Sequence, residues 1–448
     1  MTATSLAIIL AAGKGTRMKS AKPKVLHPVA GCSMLGHVLA AIDATPETTA
    51  AVVVAPEAEE VSAVVAETAR DARVYVQYEQ LGTAHAVLAA RQALEDHEGP
   101  VFVLFGDTPL VRPETIRALR AELEAGAHVA VLGFETADPA GYGRLLKDGD
   151  GNLAAIREHR DCSDAELGVR LCNSGVMGFN LPDLLGMLDR ITNDNAKGEF
   201  YLTDIVALAR GDGFRVRVVT CPEEEVLGIN SRVQLAEAEA VYQRRARTAA
   251  MENGVTLIAP ETVWFSYDTV IGRDVVIEPN VFFGPGVRVA DNVHILANCH
   301  FEHAHIGEGA RIGPFARLRP GAVLNQNVRI GNFVEVKNSV IGTGAKANHL
   351  AYLGDADVGD GANVGAGTIV CNYDGFKKYR TTIEAGAFIG SNSSLVAPVK
   401  IGADAYVGSG SVITKTVPAG ALSLERAEQV VRDGWAARFR EKMKARKG

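Results

Sequence analysis

In the second half of the chain, aliphatic or aromatic residues fall six apart. Ile271, Ile277, Phe283, Val289 and Ile295 form one run, and Ile306, Ile312, Leu318, Leu324 and Ile330 a second. A third runs through Ile383, Ile389, Leu395, Ile401, Val407 and Ile413. Glycine follows many of them, as at Gly272, Gly307, Gly313, Gly331, Gly390, Gly402 and Gly408. Such a hexapeptide repeat predicts a parallel β-helix, with each aliphatic residue pointing into a narrow core and each small residue letting the chain turn a corner. The repeat constrains the fold tightly and the chemistry hardly at all. Its breaks say more. The register slips by one residue near 301–306, 336–341 and 353–358, and CNYDGFKKYRTT interrupts it between Val370 and Ile383. A regular solenoid gains nothing from such an excursion, so function is expected in the irregular patch from 333 to 382.

The first half has a different texture. From residue 5 to 228, short β-rich runs (LAIIL, AVVVA, VFVLF, HVAVLGF, RVRVVT) alternate with amphipathic helical stretches. One of these, PETIRALRAELEAG, carries Pro113 and Glu114 in its first turn and Gly126 as its stop. Strands alternating with helices imply a mostly parallel, Rossmann-like α/β sheet covered on both faces, with ligands beyond the carboxyl ends of the strands. The stretch 231–254 contains no proline, opens on Ser231 and closes on Gly254, which reads as a connecting helix. The expected organisation is therefore an α/β domain over 1–228, a linker helix over 229–252, and the hexapeptide domain with a C-terminal tail over 253–448.

At 448 residues, two or three domains are the natural expectation. A formal net charge of −7 argues against a nucleic-acid partner, and the basic tail RFREKMKARKG reads as a solvated end. The six cysteines are scattered with no C-x-x-C pair, which suits a reducing cytoplasm and indicates no thiolate metal site. No basic residue precedes the apolar run SLAIILAA and no stretch reaches spanning length, so neither a signal peptide nor a membrane span is expected.

LAAGKGTRMKSAKPK, residues 10–24, follows the first strand directly. Its glycines let the backbone approach a phosphate, and Arg17 and Lys24 could neutralise one. It lacks the Lys-Ser/Thr of a P-loop, and Met18 stands where a dinucleotide fingerprint needs its third glycine. L-x-x-G-x-G-T-R-M followed by P-K resembles the signature of the sugar-1-phosphate nucleotidyltransferases, and FGD, EQLGTAHAV, GYGR and EFYLTD fit the same family. With the hexapeptide domain behind it, essentially the whole chain resembles the bacterial family of bifunctional N-acetylglucosamine-1-phosphate uridyltransferases/glucosamine-1-phosphate acetyltransferases.

The resemblance implies roles. Leu10, Ala11, Ala12, Gly13, Gln77, Gly82 and Thr83 would hold the uracil nucleotide of UTP, with Arg17 and Lys24 at its phosphates. Gly143, Glu158 and Asn173 would hold the sugar, and Asp107 and Asn230 would bind Mg²⁺. In the second half, Arg319 and Lys337 would bind the phosphate of glucosamine-1-phosphate, and Tyr352 and Asn363 its sugar. Ala366, Asn372, Tyr373, Ser391, Ser409 and Arg426 would line the acetyl-CoA site, with His349 as general base. Ser409 stands where the family has a smaller residue, which a backbone contact would survive.

The residue types agree with this chemistry. Attack of a sugar phosphate on the α-phosphorus of UTP needs positioning, charge neutralisation and a metal rather than a protein nucleophile. Attack of an amine on a thioester needs the amine deprotonated, and a histidine suits that task near neutrality. Glu335 is a candidate to fix the His349 tautomer. Cys371, beside the inserted loop, has no nucleophilic role in such a reaction.

The family also implies a left-handed solenoid, a homotrimer with acetyltransferase sites between subunits, and supply of precursor for peptidoglycan and lipopolysaccharide. Two alternatives stay open on the residues alone. One is a monofunctional nucleotidyltransferase whose solenoid serves only assembly. The other is a non-catalytic scaffold, against which Gly13, Gly15, Arg17, Lys24 and Asp107 all stand intact.

Overall fold

The computed structural model describes residues 5–69, 71–149, 152–195 and 197–446. Two compact units divide the chain, Met1–Ala246 and Arg247–Gly448. The division falls within the helix Arg232–Glu252, whose Ser231 Oγ accepts from the Gln234 N–H at 3.3 Å and which is followed by Gly254 at φ +95°. Lys447 and Gly448, the last residues of the basic tail, lie outside the described residues.

The first unit is built on a nine-stranded sheet. Its strands are β1 (Ser5–Leu10), β2 (Thr48–Val54), β3 (Arg73–Val76), β4 (Val101–Phe105), β5 (Val129–Glu135), β6 (Arg144–Lys147), β7 (Leu153–Arg157), β8 (Leu171–Phe179) and β9 (Val216–Thr220). The main path runs β9-β5-β8-β4-β1-β2-β3, and β6 pairs with β8 and β7. All neighbours on that path are parallel except β8, which runs antiparallel to both β4 and β5. Residues alternate between two cores. Ile8, Val53, Val103 and Met177 pack under one set of helices, and Ala7, Ile9, Val52 and Phe102 under the other. Burial on both faces explains why these strands read as continuous apolar runs. The reversal at β8 brings Asn173 to the same edge as the carboxyl ends of β1 and β4.

The second unit is a left-handed parallel β-helix of three sheets with ten, nine and eight strands. Ile277, Ile295 and Ile312 point inward from one sheet, Phe283, Phe301 and Leu318 from the next, and Val289, Ile306 and Leu324 from the third. Val276 pairs with His294, Arg288 with His305 and Ala356 with Thr381, so individual coils take 18, 17 and 25 residues. The shortened coils turn at His303, Asn338 and Asp355, all at positive φ, and the longest coil carries its extra residues at that same corner. The phase slips in the sequence are therefore one corner, repeatedly modified. Among the described residues, no helix is long and apolar enough to cross a membrane.

Candidate active sites

In the first unit, the chain after β1 is tied to its neighbours at the carboxyl edge. Ala11 N–H donates to Val53 O at 2.7 Å, and Gly106 N–H donates to Leu10 O at 2.9 Å. Gly15 adopts φ +59°, and a Cβ there would lie 2.5 Å from Cβ of Lys24, so the loop folds onto the Lys24 stem only because this residue is glycine. The Lys24 ammonium forms an ion pair with Asp107 and donates to Asn230 Oδ1 at 3.1 Å. Asn230 is held in place from both sides. Ile229 N–H donates to Asp107 O at 3.0 Å, and Asn230 N–H donates to Gln234 Oε1 at 2.8 Å at the start of the long helix.

A cavity of about 280 Å³ opens beside this cluster, near the lower end of the range for small-molecule sites. Leu10, Ala11, Ala12, Gly13, Lys24, Gln77, Gly82, Thr83 and Asp107 all line it. Gln80 and Glu199 line it too and were not assigned from sequence. Gln80 Nε2 donates to Ala12 O at 2.6 Å, and its signal was its place in EQLGTAHAV. Glu199 opens EFYLTD, whose Phe200 N–H donates to Leu81 O at 2.8 Å and whose Leu202 N–H donates to Thr83 Oγ1 at 3.0 Å.

Gly143, Glu158 and Asn173 form a second group outside the lining of that cavity. Asn173 N–H donates to Gly143 O at 2.8 Å, and a Cβ on Gly143 would approach Glu158 Oε1 to 3.5 Å. Burial pushes the Glu158 carboxyl above its ordinary range; Asp161 and Asp204 add to this, while Lys197 and a hydrogen bond from Thr203 oppose it. Arg17 is exposed on the turn Thr16–Met18 and lies apart from the cavity lining.

In the second unit, two corners flank the sheet that carries Tyr352. At one corner, successive coils stack Asn332, His349, Ala366, Ser391 and Ser409 in a column. Asn332 pairs with His349 in register, Gly367 N–H donates to His349 O, Asn392 N–H to Ala366 O and Gly410 N–H to Ser391 O. Arg426 Nη1 donates to Ser409 O at 2.9 Å, so the serine at 409 contributes its carbonyl there. His349 Nδ1 lies 2.7 Å from Asn332 Oδ1. With Asn332 accepting from Nδ1–H, Nε2 is left as the proton acceptor.

Glu335 does not orient His349. Its carboxylate pairs with Arg319 Nη1 at 2.8 Å and Arg317 Nη1 at 3.8 Å, because its strand places it opposite arginine on the preceding coil.

At the other corner stand Arg319, Lys337 and, from the inserted loop, Lys378, a third cation that sequence reasoning missed. The Lys378 amine beside it, burial and the Arg319 charge together hold Lys337 below the usual lysine range. Asp355 lies under this group. Burial pushes its carboxyl up, but hydrogen bonds from Asn338 and Asn372 and the charges of Lys378 and Lys337 outweigh that and hold it below the ordinary range. Asn372 is thereby buried, whereas Tyr373 is exposed, its hydroxyl donating to Gly375 O at 2.5 Å. Asn363 belongs to the ten-stranded sheet and Tyr352 to the nine-stranded one, so within one chain they stand on different faces of the solenoid.

Comparison with known proteins accords with both units. Residues 7–163 match the MobA-like NTP transferase domain family, and residues 268–302, 303–338 and 380–415 match the bacterial transferase hexapeptide (six repeats). Over 435 residues, 97% of each chain, the sequence is 60% identical to Bifunctional protein GlmU of Azorhizobium caulinodans. It is 59% identical over 443 residues, 99% of each chain, to the protein of the same name from Xanthobacter autotrophicus. The Bradyrhizobium sp. counterpart is 55% identical over 441 residues, 98% of each chain.

Proposed function

The chain belongs to the GlmU family of bifunctional proteins, and from that premise we propose that it makes UDP-N-acetylglucosamine in two steps, one on each unit. In the second unit, the amine of glucosamine-1-phosphate attacks the thioester carbonyl of acetyl-CoA. His349 Nε2 takes the proton, the C–S bond breaks, and coenzyme A leaves as its thiol after protonation. Arg319, Lys337 and Lys378 hold the sugar phosphate. Ala366, Asn372, Tyr373, Ser391, Ser409 and Arg426 hold the cofactor, and Tyr352 and Asn363 the sugar.

In the first unit, an oxygen of the N-acetylglucosamine-1-phosphate phosphate attacks the α-phosphorus of UTP in line, and pyrophosphate leaves. The loop 10–13 with Gln77, Gly82 and Thr83 seats the nucleotide, Arg17 and Lys24 contact its phosphates, and Gly143, Glu158 and Asn173 seat the sugar. The Asp107 carboxylate and the Asn230 amide oxygen are a hard-oxygen donor pair suited to Mg²⁺. When bound, that ion neutralises phosphate charge and aligns the leaving pyrophosphate.

The observation that carries the two-step reading is the column at one solenoid corner, in which an oriented imidazole heads a line of candidate cofactor contacts. The placement of Asn363 and Tyr352 on different faces supports a homotrimer, since a neighbouring copy can bring one face against the other. The product would supply peptidoglycan and lipopolysaccharide precursors, and we place the protein in the cytoplasm.

The test is to give the full chain UTP and glucosamine-1-phosphate and measure pyrophosphate with and without acetyl-CoA. Pyrophosphate release is expected only when acetyl-CoA is present, together with release of coenzyme A thiol. Pyrophosphate release without acetyl-CoA at the same rate, or no thiol release, would favour the monofunctional alternative.

A smaller prediction concerns the seat of the nucleotide. Gly82 adopts φ +123°, and a Cβ there would lie 2.5 Å from Phe200 O and 2.6 Å from Phe200 N. Strain of that kind costs about 1–3 kcal/mol, so Gly82→Ala is expected to raise KM for UTP by roughly tenfold as segment 199–202 is pushed off Thr83. Steady-state kinetics at saturating N-acetylglucosamine-1-phosphate reads this directly, and an unchanged KM would contradict it.

A further inference from the structure

Lys24 occupies an unusual position for a phosphate ligand. Its ammonium sits between the two residues proposed to bind the metal, in an ion pair with Asp107 and 3.1 Å from Asn230 Oδ1. Both side chains are largely sheltered, Lys24 at 10% exposure and Asp107 at 18%. The neighbouring residues hold the base of the side chain firmly. Val25 and Leu26 are buried in the core, and the stem lies beneath Gly15. The four-carbon stem has the rotatable bonds for the tip to exchange partners, and a Cβ on Gly13 would lie 3.8 Å from Nζ, so the ammonium already lies against the glycine loop.

The charge balance is equally specific. Among the described residues, no group of three His, Cys, Asp or Glu side chains could hold a metal ion. Asp107 contributes one negative charge, and Lys24 cancels it. A divalent cation approaching alone meets a neutral pair, with two oxygens already accepting from an ammonium. A nucleoside triphosphate changes both terms. Its anionic oxygens reach the glycine loop, where Nζ can pivot to meet them, and they add the ligands that Mg²⁺ requires beyond one or two protein oxygens.

We propose that Lys24 is the resident counter-cation of the Asp107–Asn230 pair. It keeps divalent metal out of the free protein and yields the site only when a nucleotide's phosphates draw its ammonium away. Metal and nucleotide therefore enter together, and Lys24 exchanges a carboxylate partner for a phosphate partner as they do. This inference rests on the reading of Asp107 and Asn230 as metal ligands.

The experiment is a Mn²⁺ titration of the full chain without nucleotide, reading free Mn²⁺ by electron paramagnetic resonance. It compares the unsubstituted protein with Lys24→Met and with Lys24→Met/Asp107→Asn, and circular dichroism confirms that each is folded. The Lys24→Met protein is expected to bind Mn²⁺ at least about tenfold more tightly, because an uncompensated carboxylate now faces the ion. The second substitution is expected to abolish the gain. Equal or weaker Mn²⁺ binding by Lys24→Met overturns the proposal, as does nucleotide-free binding by the unsubstituted protein as tight as that of Lys24→Met. A separate arm tests the underlying reading through the effect of Mn²⁺ on UTP affinity, measured calorimetrically. If Mn²⁺ strengthens UTP binding equally in the unsubstituted and Asp107→Asn proteins, the metal site itself is wrongly assigned.

Discussion

His349→Ala is expected to lower acetyl transfer about a thousandfold, within the range that general-base catalysis contributes, and to leave uridylyl transfer unchanged. The amine of glucosamine-1-phosphate is a nucleophile only once it has lost a proton, and the His349 ring, held through Nδ1 by Asn332, presents Nε2 as an acceptor in this column. Alanine leaves the coil intact. Ala347 supplies the inward contact of the same strand, and Gly367 N–H bonds the backbone carbonyl of residue 349, which survives the substitution. The loss should therefore fall on the rate at saturation rather than on the binding of either substrate. Thiol release from acetyl-CoA measures the first activity, and pyrophosphate release from UTP with N-acetylglucosamine-1-phosphate measures the second. An unimpaired acetyl rate would remove His349 from the mechanism.

Asp107→Ala should produce the complementary result. Uridylyl transfer is expected to fall by about a thousandfold or more, since the variant loses the carboxylate proposed to hold Mg²⁺ at the phosphates. Acetyl transfer, on the other compact unit, is expected to persist. The carboxylate is also the partner of Lys24, so its loss leaves a sheltered ammonium with Asn230 as its remaining acceptor among the described residues. Measuring both activities on one preparation separates a local effect from unfolding. Loss of both in a folded protein would contradict two independent sites.

Much of this architecture was legible in the chain. The strands VFVLF and LAIIL and the helix from Pro113 lie where their patterns put them, because burial on both faces and the proline-to-glycine span are local signals. The antiparallel β8 was not legible. CNSGVMGF has no feature that distinguishes its direction, which depends on pairing with β4 and β5 far away in the chain. The glycine loop that lines the cavity was readable since its glycines adjoin the strand that positions them. Lys378 was missed because lysine in an exposed insertion is ordinary until the loop folds it beside Lys337.

The partner of His349 shows the division most clearly. Glu335 was the natural candidate by chemistry, yet Asn332 holds the ring. Contacts between coils join residues 16, 17, 18, 20 or 25 positions apart, depending on what each corner inserts or omits. Residue type and local spacing were enough to determine a β-helix following an α/β sheet and a glycine-rich turn after the first strand, and to nominate the side chains for acid–base and metal chemistry. Only the tertiary structure decided which of them meet. A column in a solenoid is set by the accumulated lengths of its coils, and a pair such as Lys24 with Asn230 by the closure of a whole domain, neither of which any short stretch of sequence encodes.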